Sequence, residues 1–115
     1  MKLGDKQRRF TELVGKLITW CYDNGYELTL GEAYRTPEQA ALNAQKGIGI
    51  AKSLHTQRLA IDINLFINDE WVIEPAAYTP LGTYWKSLDP DCRWGGDFTK
   101  IKDAVHFSFT HEGIS

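Results

Sequence analysis

The chain has 115 residues, the size of one domain that can bury a hydrophobic core without disulfides as staples. Hydrophobic residues make up 43% and charged residues 24%, a globular balance that argues against intrinsic disorder. Thirteen Lys and Arg against fifteen Asp and Glu give a formal net charge of −2, which argues against a nucleic-acid binder held by charge.

The cysteines and the N-terminus bear on the compartment of the protein. Cys21 and Cys92 are too few for a disulfide scaffold, and their surroundings predict buried, unreactive thiols. Residues 1–6 lack the apolar core of a signal peptide, and no apolar run is long enough to span a bilayer. We therefore expect synthesis in a cytoplasm and no membrane insertion. A target outside the cell membrane would be reached only after release.

The first quarter of the chain predicts a helix followed by a strand. Apolar residues recur at helical spacing within residues 4–24, and Asn24-Gly25 supplies the C-terminal stop. Residues 26–35 alternate between apolar and polar side chains, which predicts a strand that Arg35 closes.

A second helix is predicted to begin at Thr36-Pro37. Thr36 would be the N-cap, Pro37 the first helical residue and Gln39 the reciprocal partner of a capping box. This helix is expected to end at residues 46–47. Two glycines then predict a loop over 47–54.

Most strands are predicted in the second half of the chain. Residues 59–66 are rich in Ile, Leu and Phe and predict a central, mostly buried strand. The other expected elements are a turn at 68–69, a hairpin strand at 71–73, a helix from Thr79-Pro80 to Leu88, a loop at 94–98 and a strand at 105–109. Early helices and late, hairpin-connected strands favour an α+β fold with a small antiparallel sheet packed against the helices.

Two histidines and one aspartate in strand-like contexts could hold a metal ion. Asp62 stands between Ile61 and Ile63, where an ionised carboxylate must be paired, hydrogen-bonded or bound to a metal. His55 precedes the same strand, and His106 lies in the last one. Two imidazoles and one carboxylate form a catalytic zinc set with an open fourth position. Taken singly, however, such residues are more often hydrogen-bonded structural side chains.

Asp103 and Arg35 are the candidates for catalytic chemistry. Asp103 stands three positions before His106, so both side chains can reach one site only if Asp103 lies in the turn before the strand. There it could take up and return a proton, although a solvated turn residue is the simpler interpretation. Arg35 could stabilise an oxyanion or lie exposed at the sheet edge. His111 and Glu112 suggest a mobile tail more than a ligand pair.

Four short motifs, in this order, resemble those of one enzyme family. They are YRTPEQ at 34–39, SLH at 53–55 with AID at 60–62, WGGDF at 94–98, and DAVHF at 103–107. The second and fourth resemble the metal-binding motifs of the VanY/VanX-like M15 zinc peptidases. The third resembles the phage endolysin branch of that family, the L-alanyl-D-glutamate endopeptidases.

This resemblance implies roles for five residues. His55, Asp62 and His106 would be Zn2+ ligands, Asp103 the general base and acid, and Arg35 the electrophilic stabiliser. It also implies a Hedgehog/DD-peptidase-like α+β fold. Residues 1–115 would then form a single catalytic domain without a separate cell-wall-binding domain.

The function implied is hydrolysis of an amide bond in the peptidoglycan stem peptide, between L-alanine and D-glutamate. We expect a monomer whose partner is that peptide. Two alternatives stay open: a D-alanyl-D-alanine carboxypeptidase or dipeptidase, and a non-catalytic zinc-containing module that binds cell-wall peptides.

One departure from the family pattern concerns Arg58, which stands where the family usually has glycine. Glycine between the two ligands suggests a tight or left-handed backbone position. Arginine there predicts a different local turn, or a side chain that reaches the substrate groove.

Overall fold

The fold is taken from a computed structural model that describes residues 1–47 and 53–115. Most of the loop predicted over 47–54 lies outside these residues. In the described part of the chain, no helix is both long and apolar enough to cross a membrane.

The described residues form three α-helices, and each agrees with a predicted helix. They are α1 (Leu3–Asp23), α2 (Pro37–Gln45) and α3 (Thr79–Leu88). Helix α1 ends where predicted, since Asn24 is its C-cap and Gly25 follows with a φ of 82°. At the start of α2, the Thr36 hydroxyl accepts a hydrogen bond from the Gln39 backbone N–H at 3.1 Å.

Two details of the predicted helix starts are wrong. The Gln39 side chain does not complete a capping box, because its Nε2 donates to Asn43 Oδ1 along the helix at 2.7 Å. Thr79 is the first residue of α3 rather than its cap. A 3₁₀ turn at Pro75–Tyr78 leads directly into α3, so Tyr78 occupies the N-cap position, and its side chain makes no capping hydrogen bond to the helix.

Within residues 1–47 and 53–115, five strands form one antiparallel sheet. In chain order they are β1 (Glu27–Leu30), β2 (Ala60–Ile67), β3 (Glu70–Val72), β4 (Cys92–Trp94) and β5 (His106–Phe109). The spatial order is β1-β2-β5-β4, and β3 also pairs with β2. The chain therefore has the predicted α+β architecture, with β2 at the centre of the sheet.

The two faces of β2 differ in burial and so set where the core and the site lie. Ile61, Ile63 and Leu65 are buried, whereas Asp62 and Asn64 on the alternate face are only partly covered. The core contains the buried residues of α1, β2, α3 and β5, including Leu13, Leu17, Ile63, Trp85 and Phe107. The polar side chains of β2 thus remain on the face away from this core.

The first strand is shorter than predicted. Strand β1 ends at Leu30, and residues 31–36 are irregular. Gly31 N–H still donates to the Asp62 carbonyl at 2.7 Å, and Asp62 N–H donates to the Glu32 carbonyl at 2.9 Å. Arg35 therefore does not close a strand but lies in a segment that leaves the sheet beside Asp62.

Strand β4 and the order of the C-terminus were not predicted. Three residues are too few for an alternating pattern, and the surrounding Asp, Pro and Gly residues indicated turns. The C-terminal residues are held rather than loose. Lys6 Nζ donates to the Thr110 carbonyl at 3.0 Å, and His111 forms an antiparallel bridge with Ile114.

Candidate metal centre

Three chain segments bring His55, Asp62 and His106 together. His55 lies in a 3₁₀ turn, Leu54–Gln57, whose start is capped by Ser53. Asp62 and His106 are direct partners in the antiparallel register of β2 and β5. Directly opposed residues project from the same face of a sheet. Register therefore places side chains 44 positions apart in the sequence next to each other.

The potential ligand atoms of the three residues lie within 4.8 Å of one another. Asp62 Oδ1 is 3.4 Å from His55 Nε2 and 3.7 Å from His106 Nδ1. Both histidines are buried, while Asp62 is partly open to solvent. The cluster thus has a covered base and one accessible side.

A backbone carbonyl orients the imidazole of His55. Its Nδ1 lies 3.3 Å from the Ala33 carbonyl oxygen, which can only accept a hydrogen bond. Nδ1 must therefore carry the proton, and the Nε2 lone pair is left facing Asp62. This is the tautomer that a metal ligand needs.

The two histidines favour the ionised form of Asp62. Burial raises the pKa of Asp62, but the neighbouring imidazoles of His106 and His55 outweigh this effect and lower the pKa to about 2. Burial lowers the pKa of His55, but the neighbouring Asp62 carboxylate more than compensates, so that this pKa is raised. Asp62 is therefore an anion at neutral pH.

The donor set fits a divalent cation. Asp62 Oδ1 is buried and has no hydrogen-bond partner in the described structure. An unsatisfied buried carboxylate oxygen is costly, and a cation beside it removes that cost. Two imidazole nitrogens and one carboxylate oxygen match the three-ligand set of catalytic zinc sites.

Asp103 lies in the turn before β5, the position that its spacing from His106 requires. Its backbone N–H donates to the Gly95 carbonyl at 2.9 Å, and its own carbonyl accepts from His106 N–H at 3.0 Å. Asp103 is exposed as a residue, but partial desolvation of its carboxyl group raises the pKa, and the negative charge of Asp62 raises it further. The backbone hydrogen bond to His106 places Asp103 beside the cluster.

The WGGDF segment supports this turn. Trp94 is buried, and its Nε1 donates to the Ala104 carbonyl at 2.8 Å. A side chain at Gly95 would overlap the Asp103 carbonyl. The Phe98 ring lies next to the His106 ring, with centroids 5.6 Å apart. Trp94 is thus an anchor of the core, while Phe98 borders the cluster.

Arg35 stands beside the cluster without contacting its ligand atoms among the described residues. Its guanidinium forms a two-pronged ion pair with the carboxylate of Glu32. Its backbone N–H donates to the His55 carbonyl at 3.2 Å. Sequence reasoning missed Glu32, although a carboxylate three residues before an arginine was a visible signal.

Arg58 adopts a left-handed backbone conformation with a φ of 55°, which is the region that glycine favours. The prediction of a different local turn is therefore wrong. The guanidinium lies 4.0 Å from the centroid of the Tyr34 ring. Outside the cluster, His111 Nδ1 is 3.2 Å from Lys6 Nζ and helps to hold the C-terminus.

Comparison with known sequences gives two matches. A family model of the M15 peptidases, described as D-alanyl-D-alanine carboxypeptidase, matches residues 46–109. An L-alanyl-D-glutamate peptidase of Listeria phage A118 is 30% identical over 101 residues, which cover 85% of this chain and 36% of that protein. The chain thus spans little more than a third of the length of this curated relative.

Solved structures with a similar fold include two peptidases. The L-Ala D-Glu endopeptidase ChiX of Serratia marcescens has a TM-score of 0.75 at 16% identity, over 93% of this chain and 85% of its own. The vancomycin-resistance D,D-pentapeptidase VanY of a VanB-type cassette, solved with Zn(II), has a TM-score of 0.59 at 18% identity, over 88% and 70%. At these identities the likeness establishes the α+β fold.

Proposed function

Because the chain belongs to the M15 peptidase family, we propose that it is a zinc-dependent peptidase that hydrolyses an amide bond in peptidoglycan stem peptides. The observation that carries this proposal is the convergence of His55, Asp62 and His106 within 4.8 Å, with one accessible side. A structural zinc site would use a fourth protein ligand instead.

We propose His55 Nε2, Asp62 Oδ1 and His106 Nδ1 as the three zinc ligands. Zinc held there supplies Lewis-acid chemistry, because it lowers the pKa of water to about 7 and polarises a carbonyl group. The Ala33 carbonyl keeps the His55 lone pair directed at this point.

Asp103 is the proposed proton carrier. As a carboxylate it accepts a proton from the attacking water, and as a carboxylic acid it gives that proton to the leaving amine nitrogen. A general acid–base group works best when its pKa is near the working pH. The raised pKa of Asp103 moves the group in that direction.

Arg35 is the proposed electrophilic stabiliser of the carbonyl oxygen as negative charge develops on it. Its side chain is only 16% exposed and its guanidinium is fixed by Glu32, so little reorganisation is needed during the reaction. Arg35 N–H also binds the carbonyl of His55, which ties this residue to the metal-binding turn.

The bond proposed to be cut is the one between L-alanine and D-glutamate. Support comes from the phage peptidase, which is named for this bond and is 30% identical over 85% of the chain. The description of the matching family model favours a second candidate, a D-alanyl-D-alanine carboxypeptidase. A non-catalytic peptide-binding module is the third, and it does not require Asp103.

Two substrates distinguish these functions: purified sacculi, and a free stem peptide that ends in D-alanyl-D-alanine. We expect mass analysis to show new N-terminal D-glutamate with the terminal D-alanine retained. Release of free D-alanine alone would instead establish the carboxypeptidase. Tight binding without any cleavage by the zinc-loaded chain would establish the binding module.

We also propose that the chain acts as a single catalytic domain and as a monomer. Its main hydrophobic core joins residues from Phe10 to Phe109, so both ends of the chain contribute to one unit. The proposed place of action is the bacterial cell wall, after release from the cytoplasm in which the protein is made.

A further inference from the structure

The carboxylate of Glu32 lies between a proposed metal ligand and the proposed electrophile. Its two oxygens face the guanidinium of Arg35, and Oε2 accepts from Arg35 Nε at 3.2 Å. Oε1 is also 3.8 Å from His55 Nδ1, the protonated edge of that imidazole. The Glu32 carboxylate therefore faces both the proposed metal ligand His55 and the proposed electrophile Arg35.

The backbone around Glu32 is hydrogen-bonded to two of the proposed metal ligands, Asp62 and His55. Gly31 N–H and the Glu32 carbonyl bind the backbone of Asp62, and the Ala33 carbonyl accepts from the His55 ring. Arg35 N–H binds the His55 carbonyl. Gly31 allows the close approach, since a Cβ atom there would lie 3.0 Å from Asp62 Cβ. The base of the Glu32 side chain is thus held in place relative to the cluster.

We propose that Glu32 is a positioning residue that holds the Arg35 guanidinium beside the metal cluster and strengthens His55 as a metal ligand. This inference rests on the proposed function. A paired arginine–carboxylate fork fixes the direction of the guanidinium as well as its position. Negative charge near the protonated edge of a ligating imidazole increases the basicity of the nitrogen that binds the metal.

The pair differs from an ordinary surface salt bridge. Exposed pairs contribute little because both side chains are mobile and well hydrated. Here the side chain of Arg35 is 16% exposed and the side chain of Glu32 is 36% exposed. The two side chains form a bidentate pair with two hydrogen bonds. Loss of the carboxylate would leave a largely covered guanidinium without its counter-charge.

The test uses the full chain with Glu32→Gln, which keeps the shape and removes the charge. Glu70→Gln is the matched control, because Glu70 is exposed on β3 and belongs to neither half of the site. Competition with a chelator should show about tenfold weaker zinc binding for Glu32→Gln and no change for Glu70→Gln. The visible spectrum of the cobalt-substituted chain should shift only for Glu32→Gln.

A double-variant cycle at saturating zinc tests the coupling to Arg35. Under that condition zinc affinity no longer limits the rate, so kcat reports how well Arg35 stabilises the developing negative charge. We expect Glu32→Gln to lower kcat in the wild-type background and to have almost no further effect in an Arg35→Ala background. Glu32→Asp should restore part of the zinc affinity, because it restores the charge. It also serves as the test variant if Glu32→Gln does not fold.

The outcomes separate this inference from the proposed function. Wild-type zinc affinity and an unchanged cobalt spectrum in Glu32→Gln would overturn the claim that Glu32 strengthens His55 as a ligand. Additive kcat losses in the double variant would overturn the claim that Glu32 positions Arg35. In both cases the proposed peptidase would stand. A wild-type chain that binds no zinc would overturn the proposed function and this inference with it.

Discussion

Replacing Gly95 by alanine tests how the turn that carries Asp103 is built. A Cβ atom at Gly95 would overlap the carbonyl oxygen of Asp103 and lie 2.9 Å from the Cβ atom of His106. The clash is with backbone, which cannot rotate aside as a flexible side chain can. Either the segment that contains Gly95 or the turn that contains Asp103 must therefore shift. Overpacking of this kind costs about 1–3 kcal/mol, so we expect the free energy of unfolding to fall by that amount.

Gly15 offers the matched control for the same chemical change. It lies in the middle of α1, and a Cβ atom there would have no neighbour within 4 Å. Alanine in a helix interior is favoured over glycine by about 0.5–1 kcal/mol. Gly15→Ala should therefore stabilise the chain, whereas Gly95→Ala should destabilise it.

Thermal unfolding of the zinc-free variants measures both effects. In a domain of this size 1 kcal/mol corresponds to about 4 °C in Tm, so Gly95→Ala should lose roughly 4–12 °C. Gly15→Ala should gain about 2–4 °C on the same scale. Zinc affinity should fall only in Gly95→Ala, because only that clash displaces His106. A Gly95→Ala chain with wild-type Tm and zinc affinity would refute the argument.

Three further predictions follow from the site and the core. His55→Ala and His106→Ala should each abolish zinc binding in elemental analysis, because two protein ligands are too few; a full zinc complement in either would exclude that residue as a ligand. Asp103→Ala should keep zinc and fold but lose about 10²–10⁴-fold in turnover, and an unchanged rate would remove it as the base. Burial raises the pKa of Cys21 and of Cys92 to about 12, so alkylation of the native chain at pH 8 should be slow and should become fast on unfolding. Because the unfolded thiols ionise near their ordinary pKa of 9.0, stability should also fall as the pH rises from 9 towards 12.

Elements specified by local chemistry were predictable. The spacing of Phe10, Leu13 and Leu17 is enough to predict α1, because one face of a helix must be apolar to cover a sheet. The turn between β2 and β3 is equally local. Asn68 and Asp69 both have positive φ, 52° and 66°, which suits the type of two-residue hairpin that these residue types favour.

Elements specified by distant partners were not predictable. Residues 26–35 alternate throughout, yet the strand ends at Leu30 because the following residues bond irregularly to Asp62. The convergence of Asp62 with His106 depends on the register of β2 and β5, which no local pattern reveals. Motif resemblance suggested that these residues work together, but the place of Glu32 beside His55 required the folded chain.

Arg58 shows that an arginine can occupy a left-handed backbone position. Glycine adopts this left-handed conformation without strain, whereas other residues lose about 1–2 kcal/mol there. The guanidinium over the Tyr34 ring offsets part of this cost, because a cation–π contact at an exposed site contributes about 0.5–1 kcal/mol. Tyr34 directly precedes the proposed electrophile Arg35, and Arg58 directly follows the turn that carries His55. The arginine thus links the two segments of the site at a position where glycine could make no side-chain contact.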